Sequence, residues 1–212
     1  MINIKKFTVN PLQENSYVVY DETGDCIFID PGFYFPEEQA KVKKFISDHK
    51  LNPVLIANTH CHFDHIMGVE FIREEYGIGF ATHPDDVFWI EAAMEQGEMF
   101  GFQLGSVRMP DSLFNENEMV EFGNSALGII HVPGHSPGHV VFYSEKDKVL
   151  LSGDVIFYGS IGRTDLPGGD YNQLISNITK KLLCLPSDVK ILTGHGPSTN
   201  IGFEKSSNPF LT

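Results

Sequence analysis

Within six positions the chain places four side chains that bind metal ions: His60, His62, Asp64 and His65, in the run Thr59-His60-Cys61-His62-Phe63-Asp64-His65. Neutral imidazole and carboxylate are the usual ligands of zinc and of non-haem iron. The run follows directly on an apolar segment, Pro53 to Asn58, that reads as a buried strand. In extended chain the side chains at i and i+2 point the same way, so His60 and His62 can reach one ion together. Asp64 and His65 are adjacent and cannot both point with that pair. A turn after His62 would carry them to a second ion nearby. Three of the nine histidines fall in this window, a concentration that core packing does not explain. Cys61 lies between two ligand positions, so its side chain is expected to point away, as a small buried filler.

Three more positions complete a plausible cage. His135 follows the apolar run Ala126–Ile130, inside His131-Val-Pro-Gly-His-Ser-Pro-Gly-His139; Asp154 closes Lys148–Gly153; His195 follows Val189–Gly194. All three sit just past the C-terminal ends of expected strands, where open α/β sheets place their ligand sites. The flanking glycines permit tight turns and close backbone approach. A lone Ser-Gly-Asp or Gly-His is more often a turn than a ligand; the set in this order, behind the first motif, points to a metal cage. Asp30, in Ile-Asp-Pro-Gly, is expected to hydrogen-bond a ligand histidine and fix its tautomer. His131 and His139 are expected to be structural or to support ligands rather than bind metal. His83 belongs to a helix start and His49 to a solvated helix end. Arg163 reads either as an anchor for an anionic substrate group or as a surface ion pair.

The elements that must position these residues alternate between apolar runs and helical patterns. Residues 15–21 and 25–32 read as strands joined at Thr23-Gly24, 36–50 as a helix, 53–60 as a buried strand, 66–76 as a helix and 77–83 as a strand. Residues 84–96 read as a helix opened by Pro84, with acids in its first turn. The stretch from Gly97 to Pro110 has no period; its Gly, Phe and Met content leaves open a flexible cover over a site or a plain surface connection. Strands return from Met119 through MVEFG, ALGII, HVVFYSE and KVLLSGD, then a helix over 171–185 and a last strand in DVKILTG. Strands with helices between and after them, in two similar halves, favour a layered α/β fold. Residues 1–212 are expected to form one domain, since no Pro/Ser-rich linker divides them.

Bulk composition narrows the partners. A net charge of −13 opposes a nucleic-acid backbone as partner, because phosphate binding needs a basic surface. No run approaches the roughly 20 apolar residues of a membrane helix, and the two N-terminal lysines have no apolar stretch behind them. Three widely spaced cysteines do not form a disulfide framework. Together these patterns point to a cytoplasmic protein acting on a small molecule; they set no oligomeric state.

The set of motifs resembles the metallo-β-lactamase superfamily, most closely its glyoxalase II-like hydrolases. The resemblance spans IDPG (29–32), THCHFDH, VPGHSPGH (132–139), LSGDVIF (151–157), SIGRTDLPGGD (160–170) and GHGPSTNIGFEKSSNPF (194–210). It implies a four-layer αββα sandwich. It also implies one ion on His60, His62 and His135, a second on Asp64, His65 and His195, and Asp154 bridging them. Two departures concern substrate. Little chain follows the last expected strand, so the C-terminal helical domain of full-length glyoxalase II, which helps to hold glutathione, is not expected here. Arg163 corresponds to a basic residue near the thiol carrier, but Asp165 replaces the aromatic residue expected two positions later. Asn200, Lys205, Asn208 and Phe210 are expected near the substrate mouth from the family pattern.

The chemistry expected is hydrolysis. Paired divalent ions, zinc foremost with iron and manganese also compatible, lower the pKa of a bound water from about 15.7 to around 7. Asp64 is expected to be a ligand that also orients the nucleophile. A thioester suits such a centre, because a thiolate leaves without a strong acid; S-lactoylglutathione or a related acyl-thiol is the expected substrate. The competing readings are a persulfide dioxygenase with one iron and a lactonase. A closed structural zinc site uses four ligands, and this set has seven candidates.

Overall fold

The computed structural model describes residues 1–212. Two six-stranded sheets pack face to face. The first comprises β1 (Asn3–Val9), β2 (Glu14–Tyr20), β3 (Asp25–Ile29), β4 (Asn52–Ala57), β5 (Gly79–Thr82) and β6 (Ser112–Leu113), in that spatial order. The second contains β7 (Met119–Phe122), β8 (Ser125–His131), β9 (Val140–Ser144) and β10 (Val149–Gly153). A short hairpin, β11 (Ile156–Phe157) with β12 (Ser160–Ile161), precedes its last two strands, β13 (Lys190–Thr193) and β14 (Thr199–Asn200). The order across this sheet is β14-β13-β10-β9-β8-β7. Helices α1 (Pro36–Asp48), α2 (Phe63–Ile66), α3 (Val69–Tyr76) and α4 (Val87–Met99) belong to the first half, and α5 (Tyr171–Asn177) and α6 (Ile201–Ser207) to the second.

The apolar runs are near-continuous because these sheets are buried on both faces. In β3, Ile27 and Ile29 point between the sheets while Cys26 and Phe28 point toward the helices. In β9 and β10, Val140, Phe142 and Leu151 face the other sheet, and Val141 and Leu150 face the α5 side. The three resulting cores separate helix, sheet, sheet and helix, which is the expected αββα architecture. The β2–β3 hairpin turns at Thr23-Gly24 as expected, with Gly24 at φ +89°.

Several boundaries differ from those read in the sequence. Strand β1 was not expected; Lys5 and Lys6 interrupt its alternation, yet it pairs along its whole length with β2. The helix expected over 66–76 begins only at Val69; the turn α2 before it ends at Ile66, and the chain bends at Gly68, whose amide donates to the Pro31 carbonyl across 2.7 Å. A Cβ there would collide with the Phe33 backbone. The helix expected over 84–96 opens with a 3-10 turn at Pro84–Asp86, capped by His83 Nδ1, and runs on to Met99. The helix expected over 171–185 ends at Asn177 and continues as a π-turn to Leu182. Helix α6, not expected, is capped by Asn200.

The stretch after α4 is irregular but held. Phe100 stacks on Phe63 with centroids 5.2 Å apart, and Phe102 lies 5.5 Å from the same ring. At the far end, Arg73 donates to the Arg108 and Met109 carbonyls and to the Asp111 carboxylate. The segment is a surface connection that also covers the outer side of the His-rich motif.

Candidate metal centre

The site lies where strands of both sheets end. The strand before the motif stops at Ala57, and His60 and His62 follow in extended chain; His62, at φ −61° and ψ 148°, then caps α2. That turn of helix carries Asp64 and His65 away from the pair, the change of direction expected after His62. His135 comes from the loop after β8, Asp154 from the end of β10 and His195 from the end of β13. Gly153, at φ +48°, and Gly194 sit where any Cβ would strike Thr59 Oγ1 and Asp154 Oδ1 respectively. The two strand ends therefore close on the centre only because these positions carry no side chain.

Hydrogen bonds set the tautomer of most of the histidines. His135 Nδ1 lies 2.8 Å from the Arg163 carbonyl and His195 Nδ1 lies 3.0 Å from the Leu12 carbonyl. A carbonyl only accepts, so each Nδ1 carries a proton, and in the neutral ring each Nε2 presents a lone pair. His65 Nδ1 faces Asp30 Oδ2 at 3.2 Å with the same result. Thr59 donates its hydroxyl to Asp30 Oδ2 at 2.6 Å, which leaves its oxygen to accept from His60 Nδ1 at 3.0 Å. His60 Nε2 is therefore a lone pair as well. It stands 3.3 Å from His135 Nε2, a second lone pair, with no proton available between them.

The remaining contacts repeat this pattern. Asp64 Oδ2 is 3.2 Å from His195 Nε2 and 3.8 Å from His65 Nε2. Asp154 stands between the groups, with Oδ1 at 3.5 Å from His65 Nε2 and Oδ2 at 3.8 and 3.7 Å from His135 and His195 Nε2. His62 Nε2, His65 Nε2 and Asp154 Oδ1 are buried without any partner. Donor atoms of His60, His62 and His135 converge in one group, and those of Asp64, His65 and His195 in another. Buried acceptors aimed at one another are costly unless a cation lies among them. The residues present thus fit a pair of divalent ions, with Asp154 between the two cages.

The two groups differ electrostatically. Burial and the neighbouring imidazoles hold His60 and His62 well below the usual histidine range, and burial also lowers His135. All three are neutral and ready to ligate. Burial acts the same way on His65 and His195, but the Asp154 and Asp64 carboxylates outweigh it and raise both. Burial would raise Asp154, yet the surrounding histidines, His65 first, draw it below the ordinary carboxylate range.

The other histidines take supporting positions. His139 Nε2 accepts from the Asp154 amide at 3.0 Å, and its ring stacks on His60 with centroids 4.6 Å apart. His131 Nε2 faces the Pro137 carbonyl at 2.8 Å, and its ring stacks on His83. His49 is exposed at the end of α1. Cys61 Sγ turns away to Thr82 Oγ1, 3.1 Å distant. Arg163 lines the cleft and also forms a two-point ion pair with Asp165 at 2.7 and 2.8 Å.

Four residues expected at the substrate mouth are elsewhere. Asn200 caps α6, Asn208 Nδ2 donates to the Ser160 carbonyl, Lys205 reaches the Leu183 carbonyl, and Phe210 does not line the cleft. The closing motif fixes a helix there rather than a substrate wall. The sequence reading missed Asp86, whose carboxylate holds both ligand loops, and Glu14, fully buried beside Ser16 and His65. It also missed Gln96, which accepts from the Phe63 amide at 3.0 Å, and Leu12. No spacing signals these residues, because each comes from an element remote in sequence from the motif it supports.

Two sheets, outer helices and a His/Asp centre at the strand ends define a metallohydrolase-type fold. The chain belongs to the metallo-beta-lactamase superfamily, whose profile matches residues 9–195. It is 38% identical to the hydroxyacylglutathione hydrolase GloC of Haemophilus influenzae, over 99% of this chain and 98% of that protein. Among solved structures, TTHA1623 in a di-iron-bound form superposes with a TM-score of 0.88 at 38% identity, covering 98% of this chain and 100% of the other. The BLEG-1 B3 metallo-beta-lactamase gives 0.91 at 36% identity, over 99% and 100%.

Proposed function

We propose that this protein is a dinuclear metal-dependent hydrolase of thioesters, of the glyoxalase II type. The observation that carries the metal centre is the pair of lone-pair nitrogens, His60 Nε2 and His135 Nε2, facing each other at 3.3 Å, beside the unpartnered atoms of His62, His65 and Asp154. His60, His62 and His135 would hold one ion, Asp64, His65 and His195 the other, and Asp154 both. When bound, the ions, zinc foremost, supply Lewis acidity and a water ionised near neutral pH.

The chain's own residues do the rest. Asp64 Oδ2 points at the centre, 3.2 Å from His195 Nε2, where it would accept a hydrogen bond from the nucleophile and so orient it. Leu12, Phe63, Phe100 and Leu166 line the cleft of about 250 Å³ and limit bulk water around the scissile bond. Every titratable group lining that cleft except Arg163 is one of the candidate ligands, so none is free to protonate a leaving group. A thiolate leaves without such help and an amine does not, which favours a thioester over a lactam. The similarity to a named hydroxyacylglutathione hydrolase points the same way. Residues 1–212 act as one domain on a small-molecule substrate in this reading.

The test is metal analysis of purified protein together with a thioester panel that includes S-lactoylglutathione, a lactone and a β-lactam. Two ions per chain, thioester cleavage and no oxygen uptake are expected. Fully metallated protein that cleaves no thioester overturns the proposal; one iron with oxygen consumption replaces it with the dioxygenase reading.

A further inference from the structure

Beside the metal cleft runs a second cavity of about 420 Å³, walled by Trp89, Ala92 and Met99 of α4, Phe100 after it, and Leu166-Pro167 opposite. The two cavities are continuous, since Gln96, Phe100, Arg163 and Leu166 line both. Trp89 marks the junction: its ring packs edge-on against His62, centroids 4.7 Å apart. A molecule whose carbonyl lies at the metal centre therefore has one apolar channel beside it.

The charges around this channel are unfavourable to anions. Helix α4 carries Glu91, Glu95 and Glu98 and no lysine or arginine. The one cation lining the channel, Arg163, is engaged on two nitrogens by Asp165. Met99 and Phe100 are exposed and Leu166 is half-buried, and such apolar surface gains stability when an apolar group covers it.

We propose that this channel holds an apolar chain of the substrate, so that the molecule cleaved is a thioester bearing an uncharged alkyl or aryl chain rather than a small charged acyl-thiol. The inference rests on the thioester reading above. The chain can belong to the acyl group or to the thiol; the chemistry recognised is the same.

Two substrate series separate these sources. In one, N-acetylcysteamine thioesters run from acetyl to octanoyl. In the other, thioacetates run from S-ethyl to S-octyl. With metal-loaded protein, kcat/KM is expected to rise at least tenfold along one series, and the octanoyl or octyl member to exceed S-lactoylglutathione. Ala92→Phe, which fills the channel, and Leu166→Asp, on the opposite wall, each flatten that rise. Flat profiles in both series, or a preference for S-lactoylglutathione, overturn the inference while leaving the thioester reading intact.

A binding experiment stands apart from catalysis. Trp89 is the only tryptophan in the chain, so in protein of fixed metal content its emission reports on the junction of channel and cleft. The thioether N-acetyl-S-octylcysteamine cannot be hydrolysed. It is expected to change that emission saturably in the native protein and to lose most of its affinity in both variants. No saturable change in the native protein overturns the inference, whether or not any thioester is cleaved.

Discussion

Ser136 donates its hydroxyl to Asp86 Oδ2 across 2.8 Å, fastening the loop that carries His135 to a residue fifty positions earlier. The same oxygen accepts from the Cys61 amide at 2.9 Å, and Oδ1 accepts from the Gly138 amide at 2.6 Å. One buried carboxylate thus holds the backbone between His60 and His62 and the backbone flanking His135. The three candidate ligands His60, His62 and His135 come from two loops, and Asp86 is the strut between them.

Asp86→Ala leaves three buried donors unpaired, each costing about 1–3 kcal/mol. The expected loss in unfolding free energy is on the order of 3–5 kcal/mol. Metal content should fall by at least one equivalent under conditions that saturate the native protein. Urea denaturation and metal analysis check both, and a variant unchanged in midpoint and stoichiometry removes the strut from the account.

Asp86 also makes a pH prediction. Burial pushes its carboxyl up to about 6, against the hydrogen bonds from Ser136, Cys61 and Gly138. A carboxyl raised on folding favours the folded state while protonated. Its contribution is full below about pH 4 and is lost as pH rises through about 6. The stability of metal-free native protein relative to metal-free Asp86→Asn should therefore decline between pH 4 and 6 and level off above. A difference that grows over this interval has the wrong sign and refutes the assignment.

Much of this centre was legible because ligands on one short stretch obey local geometry. The i, i+2 spacing of His60 and His62 and the turn that diverts Asp64 and His65 need only the strand and the helix beside them. His135, Asp154 and His195 were legible as candidates because each lies in the turn or loop that follows an apolar run. Asp86, Glu14 and Leu12 were not, because their roles depend on which loops the tertiary fold brings together. The bend at Gly68 was hidden for a similar reason, since only the approach of Pro31 and Phe33 breaks a pattern that is locally helical.

Removing metal should weaken the fold itself. His62 Nε2, His65 Nε2 and Asp154 Oδ1 are buried without partners, so a chelated protein retains unpaired polar atoms at the junction of both sheets. A divalent ion that binds only the folded state adds about 2.7 kcal/mol at a hundred times its dissociation constant. Thermal unfolding with chelator, then with zinc, manganese or ferrous iron restored, should show a lower midpoint without metal and recovery with it. Identical midpoints in all four conditions contradict a metal site built into this core.

Asp64→Asn separates charge from shape. The amide retains one oxygen but no charge, so ligation to the cage of His65 and His195 weakens and the water is less well oriented. Turnover of the best thioester should fall by roughly 10²–10³, the range seen when one group stabilising a transition state is lost. The comparison is made at equal metal content, with excess metal supplied to the variant. Near-normal turnover at full occupancy would leave Asp64 with no charge-dependent part in the reaction.

Asp165→Asn asks what Arg163 does when it is free. In the native protein its Nε and Nη2 both donate to the Asp165 carboxylate, and the pair is half exposed. Such pairs contribute up to about 1 kcal/mol, so releasing Arg163 can change affinity for an anionic substrate by about fivefold at most. The expected result is a two- to fivefold lower KM for S-lactoylglutathione, with kcat unchanged because the Arg163 carbonyl that holds His135 stays in place. A neutral N-acetylcysteamine thioester of the same acyl group should show no such gain. Adding salt should erase the difference, since exposed charges are screened within about 10 Å at 0.1 M. An equal gain for both substrates would mean that Asp165 acts on the shape of the cleft and not through the charge of Arg163.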